Sequence, residues 1–143
     1  MKPKPKAIIF DIDDTLVSIT AWAKPYQITP YDTTPLALAQ LTKLLLNRNP
    51  IYPRIILVTG RHIRLEEQTK QELIKCNIAY DELLMNNMTR PEGGIAGGSE
   101  FKYVAAQRLM EIYDIICAFD DDPESCQSYI AHRIPVMVPF YPK

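Results

Sequence analysis

Apolar positions along this chain fall into two kinds of run. Some are short and continuous and end in polar residues. Others recur every three or four positions. Ala7-Ile8-Ile9-Phe10 is of the first kind, as expected of a strand buried on both faces of a parallel sheet. Arg54-Ile55-Ile56-Leu57-Val58 and Asp114-Ile115-Ile116-Cys117-Ala118-Phe119 repeat it. Glu82 to Asn86 predicts a short strand between those two. Ile134 to Val138 predicts a last one, and Pro135 suits a sheet edge because proline has no N–H to give to a ladder.

Helical spacing fills the gaps. Thr34-Pro35 predicts an N-cap and a first helical residue. Ala37, Leu41, Leu44 and Leu45 then share one face, and Asn47 to Pro53 ends the helix. Residues 63–76 read as a helix with Leu65, Thr69, Leu73 and Cys76 on one face. From about Ser99 to Tyr113, residues Phe101, Ala105, Leu109 and Ile112 stand at core spacing. Asp122-Pro123 opens another helix by the same capping logic. Thr89 to Ser99 contains Gly93, Gly94, Gly97 and Gly98, which predicts a mobile loop.

Strand and helix alternate throughout. The expected fold class is therefore α/β: a three-layer, Rossmann-like open parallel sheet of about five strands, with helices on both faces. No repeat or linker divides the sequence, so residues 1–143 are expected to form one domain. In such sheets ligands bind beyond the carboxyl ends of the strands. Asp11, Thr59 and Asp120 each follow a predicted strand.

Asp11 and Asp13 leave the first strand two positions apart, so their carboxylates can share a pocket. Like charges that close are costly unless a cation joins them or one is protonated. Magnesium, a hard cation that takes oxygen ligands, fits. The bland alternative is an acidic turn. Asp122 before Pro123 is explained as a helix cap, but Asp120 and Asp121 are not. With Asp11 and Asp13 they would complete a magnesium site. Thr59-Gly60-Arg61 offers a hydroxyl, a backbone N–H and a forked cation to a phosphate at a strand-to-helix turn. A plain turn with a solvated arginine is the competing reading. Lys102 opens a helix, and its ammonium would help offset four carboxylates and a phosphate. His62 and His132 are not spaced as a ligand pair. Trp22, Tyr26 and Tyr31 make either a flap facing the substrate or loop anchors.

Composition narrows the classes. The chain is 47% hydrophobic and 23% charged, which excludes disorder. A net charge of -1 gives no global field for nucleic acid, although a local patch remains compatible with it. Cys76, Cys117 and Cys126 are an odd set without close spacing, so no disulfide framework is expected. Cys117 is predicted to be a small core residue. The apolar stretch after the basic start is too short for a signal peptide. No run reaches the roughly 18 apolar residues of a membrane span. A cytoplasmic protein with no membrane partner is expected.

In order, these motifs resemble those of the haloacid dehalogenase superfamily. The first is a strand followed by Asp11-x-Asp13-x-Thr15, the second Thr59, the third Lys102 and the fourth Asp120-Asp121. The likeness spans roughly residues 5 to 138. It implies that Asp11 is the nucleophile of an aspartyl-phosphate route. Asp13 would protonate the leaving oxygen and then serve as base. Mg2+ would be held by the Asp11 carboxylate, the Asp13 backbone carbonyl and a fourth-motif acid, with Asp121 favoured over Asp120. Thr59 would bind a phosphoryl oxygen, and Lys102 would offset charge. An acid at position 13 points to phosphate esters, because the dehalogenases lack it and the ion pumps carry Thr. Many members have Gly where this chain has Asp14.

A narrower likeness, carried by Lys4 to Asp11, Val58-Thr59-Gly60-Arg61 and Ala118-Phe119-Asp120-Asp121, is to the 3′-phosphatase domain of bacteriophage polynucleotide kinase. It implies that Arg61, with Gly60, helps position the substrate phosphate. No Walker-type kinase loop occurs in the sequence. About 18 residues separate Thr15 from Thr34 and about 40 separate Arg61 from Lys102, so no folded cap is expected. An open site admits a phosphate ester as large as a nucleic-acid 3′ end. Two readings stay open beside it: a phosphatase of small nucleotide or sugar phosphates, and a phosphate-binding module without catalysis.

Overall fold

The computed structural model describes residues 2–19, 33–46 and 53–141. In chain order the elements are β1 (Lys6–Phe10), β2 (Val17–Ile19), β3 (Thr33–Pro35), α1 (Ala37–Leu46) and β4 (Arg54–His62). A 3-10 turn (Ile63–Leu65) leads into α2 (Glu66–Lys75), followed by β5 (Glu82–Asn86), α3 (Gly98–Ile112), β6 (Asp114–Phe119), α4 (Pro123–Ala131) and β7 (Val136–Met137). The five-stranded sheet runs β5-β4-β1-β6-β7 with every neighbouring pair parallel. It is a small Rossmann-type α/β fold, and no cap domain stands over it among the described residues.

Each continuous apolar run serves two cores. Ala7, Ile9, Ile56, Val58 and Ala118 pack on one face with Phe101, Ala105, Ala106 and Leu109 of α3 and Tyr129 of α4. Phe10, Ile55 and Leu57 pack on the other with Ala39 of α1 and Leu73 and Cys76 of α2. Side chains alternate across a strand, so only an unbroken apolar run can feed both faces. The expected face of residues 63–76 is buried at Leu65, Thr69, Leu73 and Cys76.

Several expectations are corrected. Thr34 and Pro35 do not open α1. They belong to β3, which pairs antiparallel with β2, and the helix starts two residues later. Pro35 is tolerated there because this two-stranded ribbon leaves it at an edge. The packed face of α1 is centred on Ala39 and Thr42, while Ala37 is exposed and Leu44 is 56% exposed. Ile112, in the last turn of α3, is 57% exposed. Cys117 is half-buried, and the residue before it, Ile116, sits at a register shift of β6 against β1. The glycine-rich segment is a short hairpin, with Thr89 bridging Ile95 and Gly93 and Gly94 turning at φ 95° and 90°. Gly97 and Gly98 then begin α3. Trp22, Tyr26, Tyr31 and most of the Asn47–Pro53 turn lie outside the described residues.

Candidate active site

Strand register brings the acids together. Phe10 pairs with Phe119 across β1 and β6, and their rings stack with centroids 4.9 Å apart. The next residue on each strand is a carboxylate, Asp11 and Asp120. The Asp11 N–H donates to the Phe119 carbonyl at 2.9 Å, so the two acids leave the sheet side by side. Parallel pairing of like-positioned residues therefore does what sequence distance hides.

Lys102, one turn into α3, reaches both. Its Nζ donates to Asp11 Oδ1 at 3.0 Å and to Asp120 Oδ2 at 2.7 Å. All three groups are buried. Burial alone would lower the pKa of the ammonium, but Asp11 and Asp120 more than offset it and raise it. Burial raises the pKa of Asp11 well above the usual carboxylate range; Lys102 opposes that, and Asp120 and Asp13 add to it. Asp120 is raised too, first by burial and against the pull of Lys102. One ammonium is thus too little positive charge for this cluster.

Oxygen atoms of Asp11, Asp120 and Asp121 lie within 4.8 Å of one another. This is a donor set of hard oxygens carrying excess negative charge, and it fits a divalent cation such as Mg2+. Asp121 is oriented by Thr15, whose Oγ1 donates to Asp121 Oδ1 at 3.1 Å. Thr15 sits there because the chain turns at Asp14, at φ 61°. Glycine takes that conformation freely and aspartate tolerates it, which accounts for the Asp-for-Gly departure noted in the sequence.

The Asp13 carboxylate is not in this cluster. It turns to Arg61, whose Nη2 and Nε donate to it at 2.6 and 3.0 Å. Arg61 Nη1 donates in turn to Thr69 Oγ1 at 3.2 Å and to Glu72 Oε2. Burial opposes the arginine's charge, but its bond and attraction to Asp13 raise its pKa. Burial raises Glu72 while Arg61 lowers it, with a net rise. The forked cation expected at a phosphate is therefore buried among two carboxylates and a hydroxyl.

Thr59 and Gly60 do not form the expected turn. β4 continues through them to His62, with a register shift against β5 between Thr59 and His62. Thr59 is buried, and its Oγ1 accepts from the Arg61 N–H at 3.1 Å. That leaves the hydroxyl proton as a donor. Asn86, at the end of β5, ties the hairpin down: its Nδ2 donates to the Ala96 carbonyl at 2.7 Å and its Oδ1 accepts from the Met88 N–H. Asp122 caps α4, accepting from the Ser125 N–H at 2.9 Å. His62 caps the 3-10 turn, and His132 bonds the Tyr103 carbonyl.

Sequence reading missed Glu72, Asn86 and the placement of Thr15. Glu72 did carry a signal, a charge beside Leu73 and one turn from Thr69 on a face otherwise destined for the core.

The sequence matches no protein-family model and no curated protein. Solved structures do match. One is a chain of the Pnkp1/Rnl/Hen1 RNA repair complex, at TM-score 0.77 and 23% identity over 95% of this chain and 42% of that one. A second structure of the Pnkp1/Rnl/Hen1 complex gives TM-score 0.74 and 23% identity over 94% and 45%. This chain thus spans less than half the length of those chains. The HAD domain of the effector protein Lem4 from Legionella pneumophila, an inactive mutant, gives TM-score 0.52 and 18% identity over 96% and 85%. At these identities the likeness is one of fold, and with the acids assembled at the strand tips it makes this a haloacid dehalogenase-like fold.

Proposed function

We propose that this chain is a Mg2+-dependent phosphomonoester hydrolase working through an aspartyl-phosphate on Asp11, with a nucleic-acid 3′-phosphate as its favoured substrate. The observation that carries the reading is the buried cluster of Asp11, Asp120 and Asp121 with Lys102 bonded to two of them. The nucleic-acid part rests on two supports. One is the narrow motif likeness in the sequence. The other is the fold shared with a chain of an RNA repair complex.

Asp11 supplies the attacking oxygen. A bond forms between its carboxylate oxygen and phosphorus as the ester P–O bond breaks. Asp13 gives a proton to the leaving oxygen. It then takes one from the water that attacks phosphorus and releases the Asp11 carboxylate and inorganic phosphate. Lys102 holds Asp11 in place and balances negative charge at the reacting oxygens. Thr59 has a hydroxyl proton to give a phosphoryl oxygen. Asp11, Asp120 and Asp121 would hold Mg2+, which when bound offsets phosphoryl charge.

The test is phosphate release from a 3′-phosphorylated oligonucleotide, a 3′-mononucleotide and 4-nitrophenyl phosphate, with magnesium and with EDTA. Magnesium-dependent release, fastest from the oligonucleotide, is expected. Faster release from the small esters would redirect the substrate to metabolites. No release from any of them would overturn the assignment.

A further inference from the structure

We propose that Glu72 is a positioning residue that anchors Arg61 and, through it, aims Asp13 at the leaving oxygen. The inference rests on the hydrolase reading above and deepens it.

The guanidinium is gripped from two sides. Its Nε and Nη2 edge meets the Asp13 carboxylate, with Nε at 3.2 Å from Oδ1 and 3.0 Å from Oδ2 and Nη2 at 2.6 Å from Oδ1. Its Nη1 meets Glu72 Oε2 at 2.5 Å and Thr69 Oγ1 at 3.2 Å, both on α2. A forked cation fixed on both edges can hold a carboxylate at one orientation, which a lysine could not do.

Arg61 falls inside the register shift between Thr59 and His62, and its N–H goes to Thr59 Oγ1. Its guanidinium is held from behind by helix α2, which packs on the core through Leu73. Asp13 differs from its two partners in exposure. Its side chain is 14% exposed, against 4% for Arg61 and 8% for Glu72. The chain of contacts therefore runs from the core outward and ends at the one carboxylate that solvent and substrate can reach.

Glu72 is a poor choice for stability alone. Its Oε1 is buried with no hydrogen-bond partner. Replacing a buried ion pair as a whole by apolar groups is often neutral or stabilising, so a core without both Arg61 and Glu72 would be served as well. What an apolar residue at position 72 could not do is hold the guanidinium from behind. Thr69 alone offers one neutral acceptor.

The experiment uses Glu72→Met and Glu72→Gln in the full chain, with kcat and KM measured in magnesium on two esters. 4-Nitrophenyl phosphate has a leaving group that hardly needs a proton. A 3′-mononucleotide has an alkoxide that does. kcat/KM reports only the steps through phosphoryl transfer to Asp11, before the hydrolysis that both esters share. Glu72→Met is expected to lower kcat/KM on the mononucleotide about 10- to 100-fold, part of the range for general acid catalysis. Its kcat/KM on the nitrophenyl ester and its KM values should stay within about threefold, on that same reasoning. Glu72→Gln keeps an acceptor for Nη1 and should restore most of the ratio. A loss equal on both esters would mark Glu72 as merely structural and overturn the proposal. So would a KM rise shared by both, which would instead make Arg61 a phosphate contact, and so would no change. Silence of the wild-type chain on both esters would overturn the hydrolase reading itself, and this inference with it.

Discussion

Gly60 and Gly98 meet backbone to backbone. A Cβ on Gly60 would lie 3.0 Å from the Gly98 Cα, and one on Gly98 would lie 3.2 Å from the Gly60 Cα. This contact seats the start of α3 against the end of β4. It places Lys102, one turn further along α3, at the carboxylates of Asp11 and Asp120. Gly60→Ala should therefore cost about 1–3 kcal/mol, as overpacking against backbone does. It should also lower turnover by displacing the ammonium. Gly98→Ala should cost less, because alanine is the better helix former by about 1 kcal/mol. Urea unfolding of both variants gives the ranking, and equal midpoints for the wild type and Gly60→Ala would refute the packing argument.

Asp11→Asn keeps the shape of the side chain and an acceptor for Lys102 while removing the nucleophile. Turnover should fall by on the order of 10⁴-fold or more, the scale on which an enzyme loses its nucleophile. The apo protein should melt no lower than the wild type, since one of the crowded negative charges has gone. Substantial residual phosphate release in a steady-state assay would exclude the aspartyl-phosphate route.

Lys102→Met strips the counter-ion from two buried carboxylates. Breaking a buried pair in this way costs about 3–5 kcal/mol. Magnesium should recover part of that loss, because a ligand that binds only the folded state stabilises it. Thermal melts with and without MgCl2 check both points. A melting temperature as insensitive to magnesium as that of Asp121→Asn would count against the cation site.

A pH effect is expected at the far end of the sheet. The Tyr113 hydroxyl donates to Glu82, and that bond pushes its pKa up to about 12. A free tyrosine titrates near 10. The folded value is the higher one, so the stabilisation is complete below pH 10 and disappears as pH rises through 12. Glu82→Gln should move one tyrosine's titration, followed by absorbance near 295 nm, back toward the free value. An unchanged titration curve would show that this bond does not form in solution.

Much of the fold was readable because burial on two faces demands continuous apolar runs. Ala7 to Phe10, Ile55 to Val58 and Ile115 to Phe119 could hardly be anything but inner strands of a covered sheet. Capping chemistry was equally local where proline followed aspartate: Asp122 accepts from the Ser125 N–H as its side chain predicts. The same logic failed at Thr34-Pro35, because pairing of Thr34 with Ser18 across the β2 and β3 ribbon outweighed the local helix signal.

By itself the sequence determined which residue types stand at the strand ends, because the run lengths that bury a strand also fix where it stops. Asp11 and Asp120 follow from that alone, whereas β4 runs on past Thr59 to His62. What each side chain touches was decided only by the tertiary structure. The register of β1 against β6 sets Asp11 beside Asp120, and the contact of Gly60 with Gly98 brings Lys102 to both. Arg61 shows the difference most clearly. A cation after a glycine reads as a hand for phosphate, yet Asp13 and Glu72, 48 and 11 residues away in sequence, both take hold of it. Coulomb attraction acts through space, in a low-dielectric interior that only folding creates.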